Sequence, residues 1–231
     1  MANRVVKKDY SNLMEIAYGK LKKMIFLQHI SPGQKLIYRE LANFLHMSAT
    51  PVQFALGRLE QEGFVKRIPH VGYYVQGISL QEINDLFDLR QVLEVHAVEL
   101  AIEQQTPEDL DSLVCLMNKH KNYKVQMYDR RKLLLDAEFH WQIAEMSRNR
   151  EIVKQLKRIF EHTYLRSPVE CIPPERMRVS ASQHEEILSM IRERNVGLAK
   201  KYLAEHIVQA KEARKKMLSV LPQDDFLAAS I

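Results

Sequence analysis

Residues 32–75 read PGQKLIYRELANFLHMSATPVQFALGRLEQEGFVKRIPHVGYYV, and this stretch decides the fold of the N-terminal third of the chain. A short helix is predicted first, with its apolar residues at helical spacing: Leu41, Ala42 and Leu45. Residues 46–48 form a turn after it. A second helix then opens at Thr50-Pro51, with Thr50 as its cap, and ends at Gly63. The pattern predicts two short helices joined by a tight turn.

Extended runs flank these two helices. Residues 35–37 precede them, and residues 64–65 and 72–75 follow them as the two strands of a predicted hairpin. A further helix is predicted over about 11–28, before the quoted stretch. Two short helices followed by a hairpin are typical of a winged helix-turn-helix, whose second helix lies in the major groove of DNA.

In the remaining two thirds of the chain, the residue pattern predicts an all-α domain. Its start is indicated by a capping box, Ser79-x-x-Glu82, and its first helix is predicted to bury a leucine-rich stripe. That stripe consists of Leu86, Leu89, Leu93, Ala97 and Leu100. Six helices are predicted, over about 79–104, 106–124, 129–148, 150–165, 175–194 and 196–219. The predicted fold class is mainly α, a winged helix-turn-helix followed by a six-helix antiparallel bundle.

These elements divide the chain into a winged-helix domain and a helical domain. The predicted limits are a tail at 1–9, the winged helix at 10–76, a linker at 77–78, the bundle at 79–219 and a second tail at 220–231. The linker is too short to separate the two domains mechanically.

The excess positive charge is confined to the first of these domains. Residues 1–78 hold 11 Lys and Arg against 5 Asp and Glu, whereas residues 79–231 hold 23 against 24. This asymmetry favours a module that binds a polyanion, attached to a neutral module with another task. A basic face that serves only solubility is the alternative.

The composition excludes several other classes of protein. No apolar run approaches the roughly 18 residues of a membrane span, and the first residues show no secretory signal, so we expect a cytoplasmic protein without a membrane partner. The 2 cysteines, Cys115 and Cys171, lack the spacing of a disulfide framework or a zinc ribbon. Cys115 lies inside an apolar run and is predicted to be a core residue.

The quoted stretch resembles the DNA-binding domain of GntR-family transcription regulators. The shared pattern runs Pro-Gly, Leu, Glu-Leu-Ala, Ser-x-Thr-Pro-Val, Ala-Leu-x-Arg-Leu, Glu-Gly and Gly-x-x-Val, over about 65 residues. The resemblance implies binding to double-stranded operator DNA as a homodimer. The predicted DNA-contacting residues are Arg39, Ser48, Thr50, Gln53, Arg58 and His70.

The chain departs from that family where bases are read. Ala49, Gln53 and Val71 stand where relatives usually carry Arg. Arg pairs with guanine, whereas Gln prefers adenine, so the resemblance implies DNA binding at an operator unlike the usual one. Alternatives are an intramolecular ion pair for Arg39 or Arg58, a helix cap for Ser48, and a winged helix that binds no DNA.

Four potential metal ligands are predicted to face the interior of the bundle. Asp136 and His140 stand one turn apart on an apolar helix face, and His184 and His206 lie in register with apolar residues of two later helices. Buried polar groups need partners, and a shared divalent ion would supply them. Imidazole suits Zn, Ni, Fe or Mn, and the sequence does not choose among these metals. Core histidines with ordinary hydrogen bonds are the alternative, and His96, His120 and His162 are interpreted as structural or surface residues.

The bundle resembles the FCD ligand-binding domain of FadR-type GntR regulators. The matching segments are LFDLRQVLEVHAVELA, DAEFHWQIAEMSRN, QHEEILSMI and AEHIVQA, within about 79–218. In metal-binding members an Asp-x3-His pair and two later His form the site, which corresponds here to Asp136, His140, His184 and His206. Other members bind a fatty-acyl ligand without metal, and the four intact residues argue against that branch.

A site of three His and one carboxylate leaves coordination positions open. We interpret them as the place of a small organic acid effector, with Arg90 as a second anchor and Asn149 and Arg166 as further effector-binding residues. Pairing of Arg90 with Glu94, one turn on, is the alternative.

Two alternative interpretations assign the bundle a different class of function. A metal-dependent hydrolase or lyase acting on small carboxylates would use the same open positions, but Leu188 stands where a metalloprotease motif beginning at His184 requires its second His. We found no phosphate loop and no nucleophile motif, and we therefore do not expect an enzyme. A metal-free structural bundle is the third reading.

Overall fold

The computed structural model describes residues 2–124, 130–168 and 174–220, with the side chains of 2–10 and 174 excepted. The chain divides into two compact units, one of residues 1–77 with 165–168 and the other of residues 78–164 with 169–231. The predicted tail at 220–231 lies, from residue 221 onward, outside the described residues, as does Cys171.

The N-terminal unit contains three helices and a small sheet. In chain order these are α1 (Ala2–Phe26), β1 (Lys35–Leu36), α2 (Tyr38–Phe44), α3 (Ala49–Gln61), β2 (Val65–Ile68) and β3 (Gly72–Val75). The strands are antiparallel in the order β1-β3-β2, with Lys35 opposite Tyr74 and Val65 opposite Val75. This is the predicted winged helix-turn-helix.

A single apolar core holds these elements together. α1 packs mainly against α3, and the largest fully buried side chains of the unit include Leu21, Ile25, Leu56, Leu59 and Phe64. At the turn between β2 and β3, Gly72 has a φ of 134°, a conformation that favours glycine. Because α1 packs on α3, the inner face of α3 is held in the core. The outer face of α3 remains exposed.

Two details of this unit differ from the sequence prediction. α1 begins at Ala2, so residues 2–9 are helical and not a tail; no Gly or Pro interrupts the chain there. α3 begins at Ala49 with Ser48 in the N-cap position, so Thr50 is a residue of the first turn and not the cap. The Ser48 side chain makes no capping hydrogen bond.

The C-terminal unit consists of six helices in the described residues, as predicted. They are α4 (Leu80–Gln104), α5 (Pro107–Asn122), α6 (Arg131–Met146), α7 (Arg150–Leu165), α8 (Pro174–Arg192) and α9 (Val196–Val220). α4 packs on α6 and α9, α5 packs on α6 and α8, and α8 packs on α9. Both arms of the Ser79–Glu82 capping box are present.

The buried face of α4 is not the predicted leucine stripe. Of that stripe, Ala97 is buried but Leu89 is 45% exposed, and Phe87, Arg90 and Glu94 are buried in its place. The reason is that Arg90 and Glu94 neutralise each other and can therefore occupy the interior. Cys115 on α5 is also corrected: it is exposed, because a continuous apolar run wraps around a helix and only part of it faces the core.

Across the stretches that the structure describes, no helix is both long and apolar enough to cross a membrane.

Candidate functional site

The four predicted ligands meet in the interior of the C-terminal unit. α6 carries Asp136 and His140, α8 carries His184 and α9 carries His206. One potential ligand atom from each of these four side chains lies within 4.8 Å of the others. The three imidazoles are fully buried, at 0–1% exposure.

Two of the imidazoles present their Nε2 atoms to each other. His140 Nε2 and His206 Nε2 are 3.2 Å apart. The opposite ring nitrogens have acceptors: His140 Nδ1 lies 2.6 Å from Glu94 Oε2, and His206 Nδ1 lies 3.0 Å from Gln183 Oε1. Arg176 Nη2, which can only donate, also lies 3.2 Å from His206 Nδ1, so His206 has a donor and an acceptor at the same ring nitrogen. When both Nδ1 atoms carry the proton, the two Nε2 lone pairs face each other. Such an arrangement is repulsive unless a cation lies between them.

Asp136 is held as a carboxylate. Tyr164 Oη donates to its Oδ2 at 2.8 Å and Ser180 Oγ donates to its Oδ1 at 2.8 Å. Burial opposes ionisation, but the imidazoles around Asp136 outweigh burial and keep its pKa well below the usual range. Burial and Asp136 together raise the pKa of Tyr164 well above its usual value, so the phenol remains a donor.

Burial favours the neutral form of two of these histidines. Burial lowers the pKa of His184 and of His206 well below the ordinary value. Neutral imidazole is the form that binds a metal ion. The buried cluster therefore offers the Asp136 carboxylate together with the imidazole nitrogens of His140, His184 and His206.

A cavity of about 50 Å³ opens beside the cluster. Its lining includes Asp136 and His206, four cationic side chains and one more imidazole. The cations are Arg90, Lys132, Arg176 and Arg214, and the imidazole is His120.

Sequence reasoning missed most of these lining residues. His120 is fully buried, with its ring centroid 4.8 Å from that of His184 and its Nε2 3.9 Å from Asp136 Oδ1. Its signal was available, since His120 follows Leu113 and Met117 at helical spacing. Lys132, Arg176 and Arg214 had no such signal, because a charged residue within a polar segment reads as solvent-exposed.

Arg90 combines the two roles that the sequence left open. Its Nε donates to Glu94 Oε1, as in the ion-pair alternative. It also lines the cavity, and its Nη2 has no hydrogen-bond partner among the described groups. Arg90 therefore keeps a donor for a ligand.

The structure places the other two predicted effector-binding residues away from this cavity. Asn149 Oδ1 accepts from the backbone N–H groups of Glu151 and Ile152, so it caps the start of α7. Arg166 Nε donates to the Gly77 carbonyl at 3.1 Å, within the N-terminal unit. Neither residue lines the cavity.

The predicted DNA-contacting residues lie in the N-terminal unit, and most of them are exposed. Exposed members are Arg39 on α2, Ser48 before α3, Thr50 and Gln53 on α3, and His70 in the turn of the hairpin. Next to Gln53 stands Phe54, 60% exposed, which sequence reasoning did not single out. These side chains are available to a nucleic acid.

Arg58 differs from the rest of this set. Its Nη1 lies 2.6 Å from Glu15 Oε1, its Nε lies 3.1 Å from Glu62 Oε1, and its guanidinium lies 3.9 Å from the centre of the Tyr18 ring. The ion-pair alternative thus describes Arg58, which ties α3 to α1.

Two family models match the chain, one in each unit. "Bacterial regulatory proteins, gntR family" matches residues 13–75, and "FCD domain" matches residues 85–209, more than half of the chain. The chain belongs to the GntR family of transcription regulators, with an FCD domain. It is a DNA-binding regulator, and the families and relatives are regulators and not enzymes, in agreement with the expectation from its sequence.

Curated relatives and solved structures agree with this assignment. The Nta operon transcriptional regulator of Aminobacter aminovorans is 29% identical over 78% of this chain and 83% of its own length. The Uxu operon regulator of Haemophilus influenzae is 27% identical over 90% and 86%. Escherichia coli McbR/YncC superposes with a TM-score of 0.75 at 24% identity, covering 89% of this chain and 98% of the other, and so supports the fold.

Proposed function

We propose that this GntR-family regulator binds its operator as a homodimer, and that a small carboxylate effector controls its operator affinity by binding at a divalent metal site in the FCD domain. The proposed ligands are Asp136, His140, His184 and His206. The observation that carries the proposal is the 3.2 Å approach of His140 Nε2 and His206 Nε2, with both Nδ1 atoms engaged elsewhere.

That separation fits two ligands of one ion. Imidazole nitrogens bind zinc at about 2.0–2.1 Å, and two such nitrogens at tetrahedral or octahedral angles are about 2.8–3.4 Å apart. The donor set of three imidazoles and one carboxylate suits Zn, Ni, Fe or Mn. Glu94 behind His140 and Gln183 behind His206 orient the rings in the way that outer partners of metal ligands do.

A bound divalent ion would act as a Lewis acid with coordination positions left for a carboxylate oxygen. The protein side of the cavity supplies the rest of the recognition. Arg90 is fixed by Glu94 and retains a free Nη2, which suits a carboxylate oxygen of the same ligand. Among the three predicted effector-binding residues, Arg90 is therefore the proposed anchor beside the metal.

Control of DNA binding requires that the effector favour one of two arrangements of the dimer. Two recognition helices must match two half-sites, so a small change in their separation weakens binding. A coupling free energy of about 1–3 kcal/mol changes operator affinity by about 5–150-fold, and linkage requires operator DNA to change effector affinity by the same factor.

The metal part of this proposal is tested first. We expect one divalent ion per chain in protein purified without chelator, measured by elemental analysis, and a higher unfolding temperature with metal than after chelation. His184→Ala should abolish binding, whereas His96→Ala, at an exposed position on α4, should not. Equal metal content in the two variants would contradict the assignment.

The regulatory part is tested on operator DNA. Selection from random duplexes with the full-length metal-loaded protein should recover an enriched sequence. Titration of that sequence, with and without a panel of small organic acids, should identify an acid that shifts its Kd at least fivefold in wild type and not in His184→Ala. An acid that binds the FCD domain and leaves the Kd unchanged would refute regulatory control by that acid. If every acid that binds leaves the Kd unchanged, the regulatory part of the proposal fails.

A further inference from the structure

Building on the proposed function, we propose that the cavity is selective for an organic acid with at least two carboxylates. One carboxylate would lie at the metal and Arg90, and Lys132 and Arg176 would form a second anionic subsite for another. The inference rests on the charges that line the cavity and on the donors that its lining leaves unpaired.

The cationic side chains of the cavity exceed its acidic ones. Asp136 is the one acidic side chain among the described lining residues, and the proposed metal and the donors Tyr164 and Ser180 already use it. Arg90 is balanced by Glu94, which lies behind it. Neither Lys132 nor Arg176 lies within 4.0 Å of a carboxylate oxygen in the described parts of the chain.

These two cations are in an unfavourable environment without a ligand. Lys132 is only 3% exposed, and its Nζ donates to the His120 backbone carbonyl. Arg176 donates through Nη1 to Gln183 Oε1 at 2.6 Å and through Nη2 to the His206 carbonyl at 3.0 Å. These acceptors are neutral, and a buried charge such as that of Lys132 retains much of its desolvation penalty when its partners are neutral. Arg176 is half-buried, and Asp136 attracts both cations from beyond ion-pair distance. Anions bound in the cavity would balance both cations.

Unpaired donors belong to the same lining residues. Arg90 Nη2, Arg176 Nε and both ring nitrogens of His120 are buried without a hydrogen-bond partner among the described groups. Buried polar atoms without partners are rare in folded proteins. Of the two His120 ring nitrogens, at least one carries a proton and is a donor.

A ligand with one carboxylate would leave most of these cations and unpaired donors without a partner. One carboxylate offers two oxygens, which the metal and Arg90 would occupy. The second subsite, at Lys132 and Arg176, would then hold two positive charges that no ligand anion balances, with Asp136 already shared with the metal.

The charge requirement is tested with diacids and their monoesters. Full-length protein loaded with zinc is titrated by calorimetry with malonate, succinate and glutarate and with the monomethyl ester of each, which keeps the shape and removes one charge. We expect the diacid that binds best to bind at least tenfold more tightly than its own monoester. A ratio below tenfold overturns the inference.

Variants then locate the second subsite. Lys132→Met and Arg176→Gln should each reduce the ratio at least threefold, with zinc still bound at one ion per chain. The matched controls are Lys154→Met and Arg178→Gln, at side chains 73% and 72% exposed; they should keep the wild-type ratio. An unchanged ratio in both cavity variants overturns the inference.

The two proposals fail in distinguishable ways. Zinc binding together with equal affinity for diacid and monoester leaves the metal site intact and refutes only the second subsite. Wild-type protein that binds no zinc contradicts the proposed function itself.

Discussion

Glu94 Oε2 lies 2.6 Å from His140 Nδ1, a contact between α4 and α6 that joins residues 46 positions apart. Glu94 is 1% exposed and also accepts from Arg90. Burial alone would raise the pKa of Glu94, but Arg90 and His140 outweigh burial and hold it below its ordinary value. Glu94 therefore stays ionised, keeps the His140 proton on Nδ1 and leaves the Nε2 lone pair facing His206.

Replacing Glu94 by Gln should weaken metal binding. Gln keeps the size of the side chain but removes the charge that orients His140, and loss of such an outer partner lowers metal affinity by about 10–100-fold. Competition with a chromophoric chelator measures the affinity. Glu99→Gln, which alters only a surface pair with Lys200, is the matched control. Equal affinities in Glu94→Gln and the control would show that Glu94 does not support the site.

The metal-free protein should lose stability below about pH 6.5, in part through His120. Its pKa falls to about 4 in the folded state because of burial, so the unfolded chain binds a proton that the folded chain does not. The contribution is fully present above about pH 6.5 and is lost as the pH falls to about 4, in total about 3 kcal/mol. Urea unfolding in chelator between pH 7 and pH 4.5 should show a smaller decline for His120→Asn than for wild type. A decline of the same size in both would exclude this role.

Gln53 and Arg39 should affect DNA binding in different ways. Gln53 is exposed on α3, and Gln53→Ala should cost about 1–3 kcal/mol at the preferred operator and relax the preference at one base pair. Arg39 is exposed on α2, and Arg39→Ala should weaken binding to all sequences and reduce the salt slope by about 1. Fluorescence anisotropy at several salt concentrations separates the two effects. Unchanged base preference in Gln53→Ala would contradict base reading by this residue.

Arg58 should act on stability and not on base preference. It bridges Glu15 and Glu62 across the Tyr18 ring, so Arg58→Ala should lower the free energy of unfolding by about 1 kcal/mol. Denaturant unfolding measures the change in stability, and selection from random DNA measures the base preference. If Arg58→Ala unfolds like wild type but has lost operator binding, Arg58 contacts DNA after all.

Much of the architecture could be predicted from local signals. The helix starts predicted at Ser79 and Thr106 lie within a residue or two of the observed starts of the first two helices of the bundle. Both residues form capping boxes in the structure. The four clustered ligands were found because each lies in register with apolar neighbours on its own helix, which is a property of one segment at a time.

The cavity could not be predicted in the same way. Arg90 and Glu94 lie inside because they neutralise each other, and their burial shifts the inward face of α4 away from Leu89. Lys132 and Arg176 line the cavity because of how distant helices pack. Such partnerships depend on the tertiary fold, and a hydrophobic pattern that treats every charged residue as exposed excludes them.

Each helix of the C-terminal unit contributes a side chain to the cluster or its immediate partners: Glu94 from α4, His120 from α5, Asp136 and His140 from α6, Tyr164 from α7, His184 from α8 and His206 from α9. A nascent or partly folded bundle that lacks any one of these helices therefore lacks part of the site. High metal affinity would then arise only when the domain has completed its folding, and the ion would bind fully folded molecules in preference to folding intermediates.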